Sequence, residues 1–108
     1  MCGITGYIGS TAEVSTPERM LAVHAHRGPD ESGLFVGDGF ALAHRRLSII
    51  DLENGQQPMQ SSRGHVITYN GEIYNFKEIR RDLEGLGHTF QTNSDTEVLL
   101  NAYQEWGQ

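Results

Sequence analysis

Along the chain, short runs of apolar and β-branched residues alternate with polar punctuation. The opening "MCGITGYIG" is bounded by glycines and predicts a strand over Cys2–Ile8. In "STPERMLAVHAH", Thr16 as N-cap with Pro17 at the first helical position predicts a helix reaching about Ala25. Ser15-x-x-Glu18 offers a second register, shifted by one. "HRGPDESG" is loop by its Gly-Pro-Asp punctuation, and "LFVGDGFALAHRRLSII" predicts two strands around a tight Gly-Asp-Gly turn. "DLENGQQPMQSSRG" reads as a polar loop and "HVITYNGEIY" as a strand. Asn75-x-x-Glu78 then opens a helix whose apolar stripe is Phe76, Ile79, Leu83 and Leu86, ending at Gly85 or Gly87. "HTFQT" predicts a short strand. A capping box Ser94-x-x-Glu97 opens a last helix with the stripe Val98, Leu99, Ala102, Tyr103 and Trp106. Antiparallel hairpins set against helices predict a layered α+β domain.

Composition narrows the class. The 108 residues fit one domain or part of one. A net charge of −6, spread along the chain, argues against nucleic acid and against a basic membrane-binding surface. No apolar run approaches the roughly 18 residues that span a bilayer, and the start lacks the basic segment of a signal peptide. The single cysteine excludes an internal disulfide framework, fits a reducing cytosol, and makes a thiol-redox role the weakest reading. His24-x-His26 at a helix end points its rings apart, so a metal site is disfavoured. His44, His65 and His88 read as ordinary strand or loop residues.

That cysteine is the second residue. A lone cysteine is most often a small buried apolar group, but a terminus is a poor place for one. Removal of Met1 would leave Cys2 with its thiol and a free α-amine on one carbon. An α-amine titrates near 8, about two units below a lysine, and so serves as a base at neutral pH. Gly3 and Gly6 would let backbone and substrate approach closely. Other polar groups stand inside apolar stretches: Arg45 and Arg46, then Asn70-Gly71-Glu72, then Asp95 at a helix start. Taken singly, each has a structural explanation: a solvated arginine, an Asn-Gly hairpin, an acid favoured by a helix dipole. Together they supply an amide-cleaving site. An Asn amide with the following Gly N–H builds an oxyanion hole, an arginine fork suits an α-carboxylate, and Asp95 and Glu72 suit an ammonium. Those parts point to glutamine.

The blocks "MCGITGYIG", "HRGPDESG", "LAHRRLSIIDLENGQQPM", "YNGEIYNFKEIRRDL" and "FQTNSDTEVLLNAYQEWG" run through the chain in order. They resemble class II glutamine amidotransferases, especially the amino-terminal half of glutamine-dependent asparagine synthetases. The resemblance implies an N-terminal-nucleophile hydrolase sandwich, two antiparallel sheets between helices, here incomplete at its C-terminal side. Residues 1–108 would be the N-terminal part of the glutaminase domain. Cys2 matches the nucleophile, and Asn70 and Gly71 the oxyanion pair. Arg46 matches the carboxylate-holding arginine, with Arg45 its neighbour. Leu47, Ser48, Ile49 and Ile50 match the pocket lining, and Glu72 and Asp95 the acids near the ammonium. Arg27 and Asp30 are expected in a structural loop near the site. The implied activity is hydrolysis of glutamine to glutamate and ammonia through a cysteine thioester. The ammonia would amidate aspartate in a synthetase domain of the same full-length chain, which uses ATP and Mg2+; this segment itself needs no cofactor or metal. The expected setting is cytoplasmic, without nucleic-acid or membrane partners, and a homodimer stays open. Two other readings remain: an amidotransferase with a different acceptor, and a non-catalytic glutamine-binding module.

Overall fold

The computed structural model describes residues 2–9, 15–26, 31–46 and 55–108. The expected positions Leu47–Ile50, Arg27 and Asp30 lie outside these residues.

The first sheet is built from β1 (Gly3–Ile8), β2 (Glu31–Gly37) and β3 (Phe40–Arg46), antiparallel in the order β1-β3-β2. The turn between β2 and β3 is the expected glycine turn, with Gly39 at φ 78°, where a side chain is strained. Register fixes the two faces, because residues directly opposite share a face. Gly3, Thr5 and Tyr7 stand across from Arg45, Ala43 and Ala41. This face meets α1 (Ser15–Val23). Ala41 and Ala43 are fully buried there, small enough to admit the helix. At Gly3, even a Cβ would come within 2.7 Å of the His24 Cβ. The helix stops at Val23 rather than Ala25: His24 and Ala25 bond three residues back, to Leu21 and Ala22, closing the turn.

The opposite face carries Glu31, Gly33, His44 and Arg46. Against it lie Gly55, beside Arg46, Gln57, seated over Gly33, and Thr68, bonded to His44. A second, two-stranded sheet follows, β4 (Met59–Gln60) paired with β5 (Val66–Ile67). The stretch read as polar loop thus contains β4. The strand expected over "HVITYNGEIY" is confined to Val66 and Ile67, because beyond Ile67 side chains rather than a neighbouring strand take the backbone groups. Then come α2 (Phe76–Gly85) and α3 (Asp95–Trp106), packed on each other, with α3 also against β5.

Helix ends and faces differ in detail from expectation. Asn75 caps α2 without a side-chain bond, and the helix closes through Leu86 and Gly87. Ser94 caps α3 by accepting from the Thr96 N–H. Glu97 does not complete a box. Its carboxylate turns back to accept from the backbone of Gln91 and Thr92, both at 2.7 Å, and from the Thr92 hydroxyl. That satisfies residues 91–92 without a ladder, so the strand expected at "HTFQT" does not form. The buried face of α3 is Thr96, Glu97, Val98 and Leu100, while Tyr103 and Trp106 are exposed. In α2, Leu83 is fully buried and Leu86 is exposed. Arg80 ties α2 to the same loop: it covers the Phe90 ring at 4.6 Å and donates to the Thr92 carbonyl at 2.7 Å.

Candidate functional site

The half-buried Cys2 is a free thiol immediately before β1, which begins at Gly3 rather than at Cys2. Gly3 stands opposite Arg45 in the last pair of the β1–β3 ladder, so Cys2, just before Gly3, and Arg46, just after Arg45, lie at the same end of the sheet. The register separates the arginine pair. Arg45 faces α1, and its Nε has no hydrogen-bond partner among the described residues. Arg46 shares the opposite face with His44 and with Glu31, its cross-strand neighbour. Its Nη1 donates to the Glu31 carboxylate at 3.3 Å, and its side chain is only 13% exposed. Gly55 leaves room for that guanidinium, since a Cβ there would approach Nη2 within 2.8 Å.

Asn70 and Gly71 reach the same end of the sheet from far along the chain. The Asn70 Nδ2 donates to the Cys2 carbonyl oxygen at 3.5 Å. Both residues and Glu72 are exposed, so a substrate can reach them. Asp95, in the first turn of α3, accepts from the Ile73 backbone N–H at 3.0 Å. The acid expected near an ammonium therefore also fastens the chain just beyond Glu72. Tyr69 joins this cluster, its phenol pushed above its ordinary value by partial burial, then by Asp95 and Glu72.

His44 and Gln57 belong to the same assembly, and neither is among the site residues expected from the sequence. His44 is 1% exposed and its Nδ1 bonds the Thr68 hydroxyl at 2.7 Å. Burial, then the Arg46 charge, lower its pKa, with Glu31 opposing. Gln57 accepts from the Tyr69 N–H and donates to the Thr96 hydroxyl at 3.3 Å. One signal was available for His44, a titratable residue at an inward position of an apolar strand. For Gln57 nothing local distinguished it from Gln56. Among the described residues, no group of three or more His, Cys, Asp or Glu is close enough to hold a metal ion.

A nucleophile-capable thiol, an Asn amide at its carbonyl and an arginine at the same end of the sheet form one constellation. Residues 1–108 match the family model of the glutamine amidotransferase domain. This chain belongs to that family. The amidotransferase domain is 42% identical over 113 residues to "Asparagine synthetase [glutamine-hydrolyzing] 3" of Bacillus subtilis (strain 168), covering 98% of the chain and 18% of that relative. It is 43% identical over 114 residues to "Asparagine synthetase [glutamine-hydrolyzing]" of Zea mays, covering 100% and 19%. To "Asparagine synthetase B [glutamine-hydrolyzing]" of Escherichia coli (strain K12) it is 43% identical over 112 residues, covering 99% and 20%. The amidotransferase domain thus spans about a fifth of the length of these curated relatives. No helix among its described residues is long and apolar enough to cross a membrane.

Proposed function

We propose that this amidotransferase domain is the glutamine-hydrolysing part of a glutamine-dependent asparagine synthetase. The observation that carries the reading is the approach of the Asn70 amide to Cys2 at 3.5 Å, across 68 residues of chain. With Met1 removed, the Cys2 α-amine takes the thiol proton and the sulfur attacks the side-chain amide carbon of glutamine. The Asn70 Nδ2–H and the Gly71 N–H receive the negative oxygen of the tetrahedral intermediate. Collapse breaks the C–N bond. The nitrogen leaves as ammonia with the proton returned by the α-ammonium, and water then cleaves the thioester to glutamate and free thiol. Arg46 holds the substrate carboxylate, exchanging part of its pairing with Glu31 for it. Glu72 and Asp95 face the ammonium, and Leu47, Ser48, Ile49 and Ile50 line the pocket.

The rest of the protein follows from the same reading. Further strands complete a sandwich of two antiparallel sheets between helices. A synthetase domain of the same chain uses ATP and Mg2+ to amidate aspartate with the ammonia, in the cytoplasm. No residue of this domain is assigned to either cofactor. A homodimer fits this reading. In the intact protein, N-terminal sequencing should find Cys2 first. Cys2→Ala should abolish glutamine hydrolysis yet leave ammonia-dependent asparagine formation. Asn70→Ala should lower kcat about a hundredfold or more, because an oxyanion donor acts mostly in the transition state. Met1 retained in active enzyme, or a change in KM alone for Asn70→Ala, would refute the mechanism.

A further inference from the structure

Asn70 and Gly71 stand in no strand or helix. β5 ends at Ile67 and α2 begins at Phe76. A catalytic pair must be held to within about an ångström, since a shift of that size costs roughly a hundredfold in rate. Side chains from other segments supply the hold: His44 on the Thr68 hydroxyl, Gln57 on the Tyr69 N–H and Asp95 on the Ile73 N–H. Gln57 is distinct among them because both ends of its amide are engaged. Its Oε1 accepts from the residue immediately before Asn70, while its Nε2 donates to the hydroxyl of Thr96, a residue only 2% exposed at the start of α3. Its main chain is seated as well. The Gln57 carbonyl oxygen occupies the space that any side chain at Gly33 of β2 would need. Gln57 therefore spans from the sheet that carries Cys2 to the helix that carries Asp95.

We propose that Gln57 is a positioning residue, whose amide sets where Asn70 and Gly71 stand relative to Cys2. This rests on the glutaminase reading above. Gln57→Met keeps the length and removes both bonds. Gln57→Glu keeps an acceptor for the Tyr69 N–H and can accept the Thr96 hydroxyl proton. In the intact protein, Gln57→Met should lower kcat for glutamine about tenfold or more, with KM changed by less than about threefold. Cys2 alkylation by iodoacetamide should stay within about twofold, because the thiol itself is untouched, and Gln57→Glu should restore kcat to within about threefold. Should Gln57→Met not fold, Thr96→Val, which fills the same space without the acceptor, should give a smaller loss confined to kcat. Unchanged kcat in Gln57→Met, equal losses in Gln57→Met and Gln57→Glu, or an unaffected Thr96→Val would each overturn the assignment. Failure of the glutaminase reading looks different: wild type would then show no hydrolysis that Cys2→Ala removes, and the positioning role would fall with it.

Discussion

Asp95 has two tasks that a pair of substitutions separates. Its Oδ2 accepts from the Ile73 N–H at 3.0 Å, and the proposed site also turns its charge toward the substrate ammonium. Asp95→Asn keeps an oxygen for the N–H and removes the charge, whereas Asp95→Ala removes both. A carboxylate and an ammonium about 4 Å apart attract by about 4 kcal/mol at an effective dielectric of about 20. Desolvation of the half-buried acid takes back part of that, leaving about 1.5–3 kcal/mol for a hydrogen bond to a charged group. Asp95→Asn should therefore lower kcat/KM roughly ten- to hundredfold, mostly through KM. Asp95→Ala should add a further loss of about fivefold in kcat, from the roughly 1 kcal/mol of a freed backbone bond that lets the Asn70 segment shift. An independent readout is Tyr69. Burial and the charges of Asp95 and Glu72 raise its phenol, so either substitution removes a negative neighbour and must bring phenolate absorbance in at lower pH. Steady-state glutaminase assays and pH-difference spectra test both parts. Wild-type kinetics in Asp95→Asn would eliminate the ammonium contact. Identical kcat in the two variants would eliminate the positioning bond.

His44 predicts an acid-side loss of stability. Its folded pKa lies below the ordinary 6.5, so as pH falls through 6.5 the unfolded chain takes a proton first and stability falls until the folded value is reached. Urea midpoints across that window should fall less in His44→Gln than in wild type, and equal slopes would refute it. Gly33→Ala should push a methyl into the Gln57 carbonyl and against the Pro58 Cδ, costing about 1–3 kcal/mol. It should also lower kcat as Gln57→Met does, so wild-type melting and kcat would show that the close fit is absent.

What the sequence disclosed depended on whether a residue answers to its neighbours in the chain or in space. The Gly39 turn and the Ser94 cap are set by adjacent residues, and both stand where the sequence predicts them. Glu97 fits the local capping pattern equally well, yet its carboxylate is taken by Gln91 and Thr92, which precede the helix. Burying that polar group with its partners rotates the buried face of α3 toward Thr96 and Leu100 and leaves Tyr103 and Trp106 outside. Alternation misled for the same reason at residues 65–74. The pattern is that of a strand, but Gln57 and Asp95 hold its backbone beyond Ile67. Alternation alone did not separate Arg45 from Arg46, which the resemblance distinguished; the register assigns them to opposite faces. Gln57 bonds a backbone group twelve residues away, and no pattern of its own marks it.

The irregular stretch from Thr68 to Ile73 has a consequence for descent. A segment held by a strand ladder is protected by redundancy, since no single side chain decides its place. This one is tethered by individual residues at positions 44, 57 and 95. If Cys2, Asn70 and Gly71 act as proposed, a descendant of this chain can keep all three unchanged and still drift out of catalysis by a substitution at a tether. The persistence of the motif residues is a weaker record of activity here than the persistence of the motif together with Gln57 and the residues that seat it.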